Sequence, residues 1–495
     1  VIPFAEWLPD QPEFNNPGST VIKNVIPAAV SYKPVKGLAV QSNALDSPCL
    51  GAVSGIDTSG NVNIYAGDSS QLYKFSADTF SDASRSGTAS TAYSVGANEN
   101  WEFAQFGNVM TATHVDDPVQ SITMGGTNFA DLIVSTLKPQ ARHVTVIKNF
   151  LVLGNTRESG TNYPQRVRWS ALDDASDFDA SQSTQSDFQD LYGEGGWVMK
   201  VVGGESGLIF QERAIWRMTY IGSPFVFQFD QVEINRGTIA KNSVARYGTK
   251  IYFLAEDGFF AINTLGGESQ AIGKERVDEY FFNDFDPTYP HKVVGVVDPE
   301  NSVIWWAYPG PANNDGTPNR LLLYNWVVNR WSRADIDVQW LFRTARTGVT
   351  LDDLDTTSSS IDSLVFSLDS RIWAGDPLQV LAGFDTSNKL GHFSGSALAS
   401  TLETSEVQLF PGRRAFVSLL RPYVEGESVV PTVQVGMRDK HTDSVSYGSA
   451  VSLDSLGEAA VRSNGRFTRF RVNTTGTFEH AQGIEILAAT PVGKR

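Results

Sequence analysis

Pairs of short apolar runs joined by tight-turn residues recur along this chain, and that pattern constrains its fold more than any other feature. In Gly207-Leu-Ile-Phe-Gln-Glu-Arg-Ala-Ile-Trp-Arg-Met-Thr-Tyr220, Leu208 and Phe210 share one face of a first strand. Trp216, Met218 and Tyr220 share a face of a second. Lys250-Ile-Tyr-Phe-Leu-Ala-Glu-Asp-Gly-Phe-Phe-Ala-Ile262 repeats the design around Asp257-Gly258. Asp-Gly between apolar runs marks a hairpin, because Gly tolerates the positive φ of a tight turn. A lone hairpin is marginal in water, so such units must stack on one another. Further units begin near residues 61, 101, 145, 302 and 364. Intervals of roughly 40 to 60 residues suit four-stranded blades set radially, which predicts an all-β chain with a β-propeller of about six to eight blades. Residues 45–398 are expected to hold it.

Composition narrows the function classes. A chain of 495 residues exceeds one simple core, and 43 Gly with few charges favours turns and sheets over long helices. Its one cysteine, Cys49, excludes an intrachain disulfide and a thiolate metal cluster. No apolar run reaches the length of a membrane span. The opening Val1-Ile-Pro-Phe-Ala-Glu6 has neither the basic nor the apolar region of a secretory signal, so none is expected in it. The net charge of −16 is uneven: residues 401–495 carry +1 and the first 400 carry −17. An acidic body of this kind argues against a protein that grips phosphates, though not against a surface that nucleic acid slides past.

The flanks differ from the repeat. Residues 1–44 are punctuated by Pro3, Pro9, Pro12, Pro17, Pro27 and Pro34, which forbids a long helix and predicts an extended arm. Trp7, Leu8 and Phe14 are too apolar for a free linker and should dock, by preference on the chain itself. One helix is expected over Lys274–Phe282, where Val277, Tyr280 and Phe281 form an apolar stripe before Asp286-Pro287. From 399 to 495 alternating runs predict a compact β-sandwich, with Phe470 and Val472 on one face and Arg469 and Arg471 on the other with Phe467, a row expected to be solvated or else to meet an acidic partner. Two segments are acidic loops. Residues 170–199 hold Asp173, Asp174, Asp177 and Asp179 without any Lys or Arg, and residues 347–363 hold Asp352, Asp353 and Asp355. Their spacing lacks the alternation and central Gly of a calcium loop, so no metal or other cofactor is expected.

No enzyme constellation is present. The sequence has no His-Glu-x-x-His, Gly-x-Ser-x-Gly or Cys-x-x-Cys. Gly267-Glu-Ser-Gln-Ala-Ile-Gly-Lys274 fails as a phosphate loop, with five residues between its glycines and Glu275 where a hydroxyl is needed. His114 beside Asp116 and Asp117 is the sole acid–base pairing, and chance accounts for it. Ser54-Gly-Ile-Asp-Thr-Ser-Gly60 only echoes the box of sialidase-type propellers, without a second copy.

Several stretches carry a resemblance. Pro3-Phe-Ala-Glu-Trp-Leu-Pro-Asp-Gln-Pro12 with Asn15-Asn-Pro-Gly18, Arg166-Val-Arg-Trp-Ser-Ala-Leu-Asp-Asp174, Gln211-Glu-Arg-Ala-Ile-Trp-Arg-Met-Thr-Tyr-Ile-Gly222, Ala255–Ile262 and Gly465-Arg-Phe-Thr-Arg-Phe-Arg-Val472 span the chain. Together they resemble the tail hub, or nozzle, proteins of short-tailed bacteriophages, also called packaged-DNA stabilisation proteins. The resemblance implies a structural virion protein, assembled in the host cytoplasm. Six copies would form a ring below the head-to-tail adaptor, retain packaged double-stranded DNA and pass it during ejection. It implies no catalytic residues, and tail fibre or spike proteins as further partners. On that expectation Asp173, Asp174, Asp177, Asp179, Asp352, Asp353 and Asp355 are candidates to line the channel, and Trp7, Leu8 and Phe14 to join the platform and the adaptor. The alternative is a carbohydrate-binding or carbohydrate-cleaving propeller, which the 11 Trp could serve by stacking on sugar rings.

Overall fold

The computed structural model describes residues 1–13, 16–85, 92–265, 267–311, 315–346, 378–426 and 429–493. Among them 40 strands stand against a single α-helix, so the protein is all-β. Seven groups of four antiparallel strands follow one another along the chain. Sheet one comprises Gly51–Ile56, Val62–Gly67, Leu72–Ser76 and Thr79–Asp82, and sheet two Glu102–Phe106, Val109–Thr113, Gln120–Thr123 and Ala130–Asp131. Sheet three comprises Gln140–Ile147, Phe150–Glu158, Thr161–Trp169 and Asp187–Asp190; sheet four, Val198–Val202, Ser206–Gln211, Ala214–Gly222 and Val226–Ile234. Sheet five runs through Ala245–Tyr247, Lys250–Ala255, Gly258–Asn263 and Gln270–Ala271, and sheet six through Val294–Asp298, Val303–Tyr308, Arg320–Asn325 and Arg330–Asp335. Sheet seven takes Trp340–Arg346, Leu378–Phe384 and Lys389–His392, and its fourth strand is Ala39–Ala44 from the N-terminal region. The two ends of the repeating array thus meet inside one sheet.

Side-chain alternation explains the stacking. Successive residues of a strand point to opposite faces, so a strand apolar on both faces needs a neighbour on each side. Ser206–Gln211 shows this: Leu208 and Phe210 pack with Ile251 and Phe253 of sheet five, while Ile209 packs with Phe150 and Val167 of sheet three. Val303–Tyr308 is wholly buried for the same reason, Trp305 facing sheet seven and Trp306 facing sheet five. Each gap between consecutive sheets encloses apolar side chains, and all but the gap between sheets five and six form a separate cluster; that between sheets seven and one holds Tyr73, Phe80, Phe342 and Phe384. The first strands of sheets one to four are neighbours in order, as are those of sheets five to seven, and that of sheet seven lies against that of sheet one. Between sheets four and six the 3-10 turn Lys241–Ser243 bridges their first strands.

Two further sheets lie beyond the array. His480–Val492 pairs with Arg414–Glu425, with Ile2–Pro3 and with Tyr32–Pro34. Phe467–Thr475 pairs with Val430–Arg438 and Ser400–Glu403, and the latter pairs with Val21–Lys23. A parallel contact of Lys23 with Arg333 makes this second sheet continuous with sheet six. Val417, Leu420 and Ile484 of one sheet share a core with Val433, Phe470 and Val472 of the other. The same core takes in Phe4, Trp7, the helix and sheets five and six.

Three details depart from the sequence expectations. The helix spans Asp278–Asp284 and starts later than expected, because the N–H groups of Arg276 and Val277 turn back onto the Gly273 carbonyl. Arg469 is not solvated; it is buried among carboxylates. Ala39–Ala44 belongs to sheet seven and not to the arm's C-terminal partner. Phe14, Asp352, Asp353, Asp355 and the strands expected near residues 364–373 lie outside the described residues.

Candidate functional site

Two polar constellations stand out, one where the first strands begin and one where the arm docks. The first strands of sheets two, three and four carry charged residues among their apolar ones. Glu102 of sheet two, His143 of sheet three and Lys200 of sheet four converge there. Glu102 Oε2 lies 2.8 Å from His143 Nδ1 and its Oε1 3.0 Å from Lys200 Nζ. Glu99, just ahead of sheet two, takes Arg142 Nε at 2.8 Å and Lys241 Nζ at 3.4 Å. Thus four segments distant in sequence are joined by two carboxylates.

Burial alone would raise the Glu102 carboxyl, but Lys200 and His143 outweigh it and hold the group down to about 2. Burial lowers His143 against the pull of Glu102, so the imidazole is neutral at pH 7 and donates from Nδ1 to the carboxylate. Lys241 is lowered by burial as well. His291 nearby is lowered to about 4 by burial and by Lys241 and Lys292. The local balance is positive in a protein of net charge −16.

The second constellation seats the arm. Trp7 is buried, edge-on to Tyr280 at 4.9 Å. Asp10 accepts the N–H groups of Glu279 at 2.9 Å and Tyr280 at 2.8 Å, capping the first turn of the helix. Glu6 pairs with Arg276 at 2.5 Å. Glu13 then bridges Arg438 and Arg469, both at 2.8 Å. Behind them Glu406 pairs with the same two arginines, and the buried Glu403 accepts from Arg471 Nε at 2.5 Å and from Tyr447. The arginines expected to face solvent therefore tie the arm to the C-terminal sheets. Asp278, under the Asp10 cap, accepts the Phe259 N–H at 3.1 Å and packs where Gly258 and Gly273 leave no room for a Cβ. Burial, reinforced by Asp10 and Asp257, raises it to about 7.

The residues singled out from sequence separate into distinct places. Asp173, Asp174, Asp177 and Asp179 lie in the loop between the third and fourth strands of sheet three, not beside its first strand. They serve as turn caps: Asp174 accepts from Ser176, Asp177 from the Asp179 N–H, and Asp173 from Asn149. Asp179 accepts the N–H groups of Thr136 and Leu137, and these bonds hold its carboxyl below the usual range. Leu8 is half-buried beside Trp7. His114 is fully buried, 3.1 Å from Asp117 and edge-on to Trp101 at 4.4 Å, so its imidazole is a packed strut. Trp305, Trp306 and Trp331 are sealed in cores, whereas Trp197 is half exposed. Among the described residues no group of three His, Cys, Asp or Glu side chains could hold a metal ion.

Sequence reasoning missed Glu102, His143, Lys200 and Lys241. The available signal was a charged residue in the first strands of sheets two, three and four, and it becomes legible only once those strands are known to adjoin. A scan against family models found no match to this chain, and a search of curated proteins found none either.

Proposed function

We propose that the seven four-stranded sheets are the blades of a β-propeller and that the two C-terminal sheets form a β-sandwich platform. On this reading the chain is a structural subunit of a short-tailed phage, six copies ringing the DNA path below the head-to-tail adaptor. The cyclic order of first strands, closed by Ala39–Ala44 inside sheet seven, is the observation that carries the reading. Closure leaves no unpaired seam in the array, which suits a part that must hold shape under load. The arm adds a second tie, running from the helix to the C-terminal sheets through Glu6, Asp10 and Glu13. The charged groups near the first strands are paired with one another, which suits clamping better than turnover. Stretches that resemble nozzle proteins fall in the arm, in sheets three, four and five, and in Phe467–Thr475, so the likeness touches the arm, the array and the C-terminal sheets. An acidic surface repels phosphates within about 8 Å at physiological salt and leaves DNA free to slide. The test is native mass spectrometry and electron microscopy of the purified chain with an adaptor ring. Six copies seated through the C-terminal sheets are expected. A chain that stays monomeric beside the adaptor would overturn the assignment.

A further inference from the structure

The outer end of sheets three and four combines features that nothing within the chain uses. Leu172, Ile221 and Phe225 are 39 %, 50 % and 76 % exposed there, and large apolar side chains at one spot on a surface mark contact sites. Tyr220 and Leu172 also line a recess of about 590 Å³, floored by Val146 and Phe150. Tyr220 donates its hydroxyl to Gln185 Oε1 at 3.0 Å, so the loop 170–186 and the turn at residues 222–225 are held side by side. The recess is preformed; Lys148, Asn149 and Glu205 line it beside the apolar walls, and Lys148 Nζ lies 5.9 Å from the centre of the Tyr220 ring.

Charge defines what would fit. Residues 170–199 carry six Asp and one Glu with no Lys or Arg. Asp179 is consumed by the backbone of residues 136–137 and Asp190 by Arg166; Asp173 and Asp174 follow Leu172 and are exposed, each with one carboxylate oxygen engaged, by Asn149 and by Ser176. The one cation on the rim, Lys148, is matched by Glu205 at 3.0 Å. A second copy meeting the first through this same patch would set like charge against like charge, which disfavours a symmetric self-contact.

We propose that this surface docks a partner protein segment that carries an apolar side chain flanked by Lys and Arg. The apolar residue enters the recess between Tyr220 and Leu172, Ile221 and Phe225 cover it, and Asp173 and Asp174 take the basic flanks. Neither the propeller assignment nor the ring is needed for this contact.

The test uses the full chain and three labelled peptides of about ten residues, read by fluorescence anisotropy. One has Leu-Phe at its centre between Lys and Arg; the second replaces the basic residues with Glu; the third replaces Leu-Phe with Ser. The first should bind at least tenfold more tightly than either control, and more weakly as salt rises. Ile221→Ser with Phe225→Ser, and separately Asp173→Asn with Asp174→Asn, should each weaken it tenfold; all four side chains are exposed, so folding is checked by an unchanged melt. Equal binding of the acidic peptide, or no effect of either variant, would overturn the proposal. So would concentration-dependent dimerisation abolished by the Ile221/Phe225 change, which would assign the patch to a second copy.

Discussion

Glu102→Gln is the most informative single change, because one carboxylate serves two sheets besides its own. Glu102 is held to about 2 against an ordinary 4.5. At about 1.4 kcal/mol per tenfold change in proton affinity, that difference is worth about 3 kcal/mol to the folded state. An amide retains the size but leaves Lys200 without its anion in a site only 19 % exposed. Breaking a buried pair from one side costs about 3–5 kcal/mol, so the two routes agree on the scale. The sign in pH follows from the lowered carboxyl: the contribution is complete above about pH 4.5 and is lost as the pH falls towards 2. Urea unfolding should therefore show a deficit of about 3 kcal/mol at pH 7 that shrinks below pH 4. Replacing the cation as well, Glu102→Gln with Lys200→Met, removes the orphaned charge, keeps an amide oxygen to accept from His143 Nδ1, and should recover most of the loss. Hydrogen exchange should localise the weakened region to the first strands of sheets two, three and four. A deficit under about 1 kcal/mol at pH 7, or one that persists unchanged at pH 3, would refute the argument.

Asp278 predicts the opposite pH trend. Its folded value of about 7 lies above the ordinary 3.8, so stability is lost as pH rises from about 4 towards 7. Asp278→Asn should flatten the fall of thermal midpoint with pH between about 4 and 7, and an unaltered slope there would count against the assignment. Trp7→Ala empties a fully buried site beside Tyr280 and should cost about 3–5 kcal/mol, with faster hydrogen exchange in Asp278–Asp284. Glu403→Gln deprives Arg471 and Tyr447 of a buried acceptor; loss of about 3 kcal/mol and proteolysis of the released arm are expected.

The sequence by itself determined the class of fold and the middle of most sheets. Val62–Gly67 with Leu72–Ser76, Ser206–Gln211 with Ala214–Gly222, Lys250–Ala255 with Gly258–Asn263, and Val303–Tyr308 with Arg320–Asn325 all show in the apolar pattern. Ser206–Gln211, Lys250–Ala255 and Val303–Tyr308 are buried on both faces, and burial demands apolar residues whatever the wider context. Edge strands such as Ala130–Asp131, Asp187–Asp190 and Gln270–Ala271 were invisible, because exposed residues may be anything that pairs through backbone. That Trp7 would be buried followed from its size; that it would lie against Tyr280 did not.

Tertiary structure alone decided the rest, for one physical reason. Paired charges are chosen for each other across space and leave no period in the chain. Arg469 and Arg471 alternate as if for solvent, yet Glu403, Glu406 and the arm's Glu13 reach them from segments at least 60 residues away. Glu102, His143 and Lys200 stand about 40 to 60 residues apart, one per sheet, and only the packing of sheet beside sheet brings them within 3.0 Å. The closing strand Ala39–Ala44 is likewise unremarkable as sequence, and gains its place because sheet seven offers an open edge.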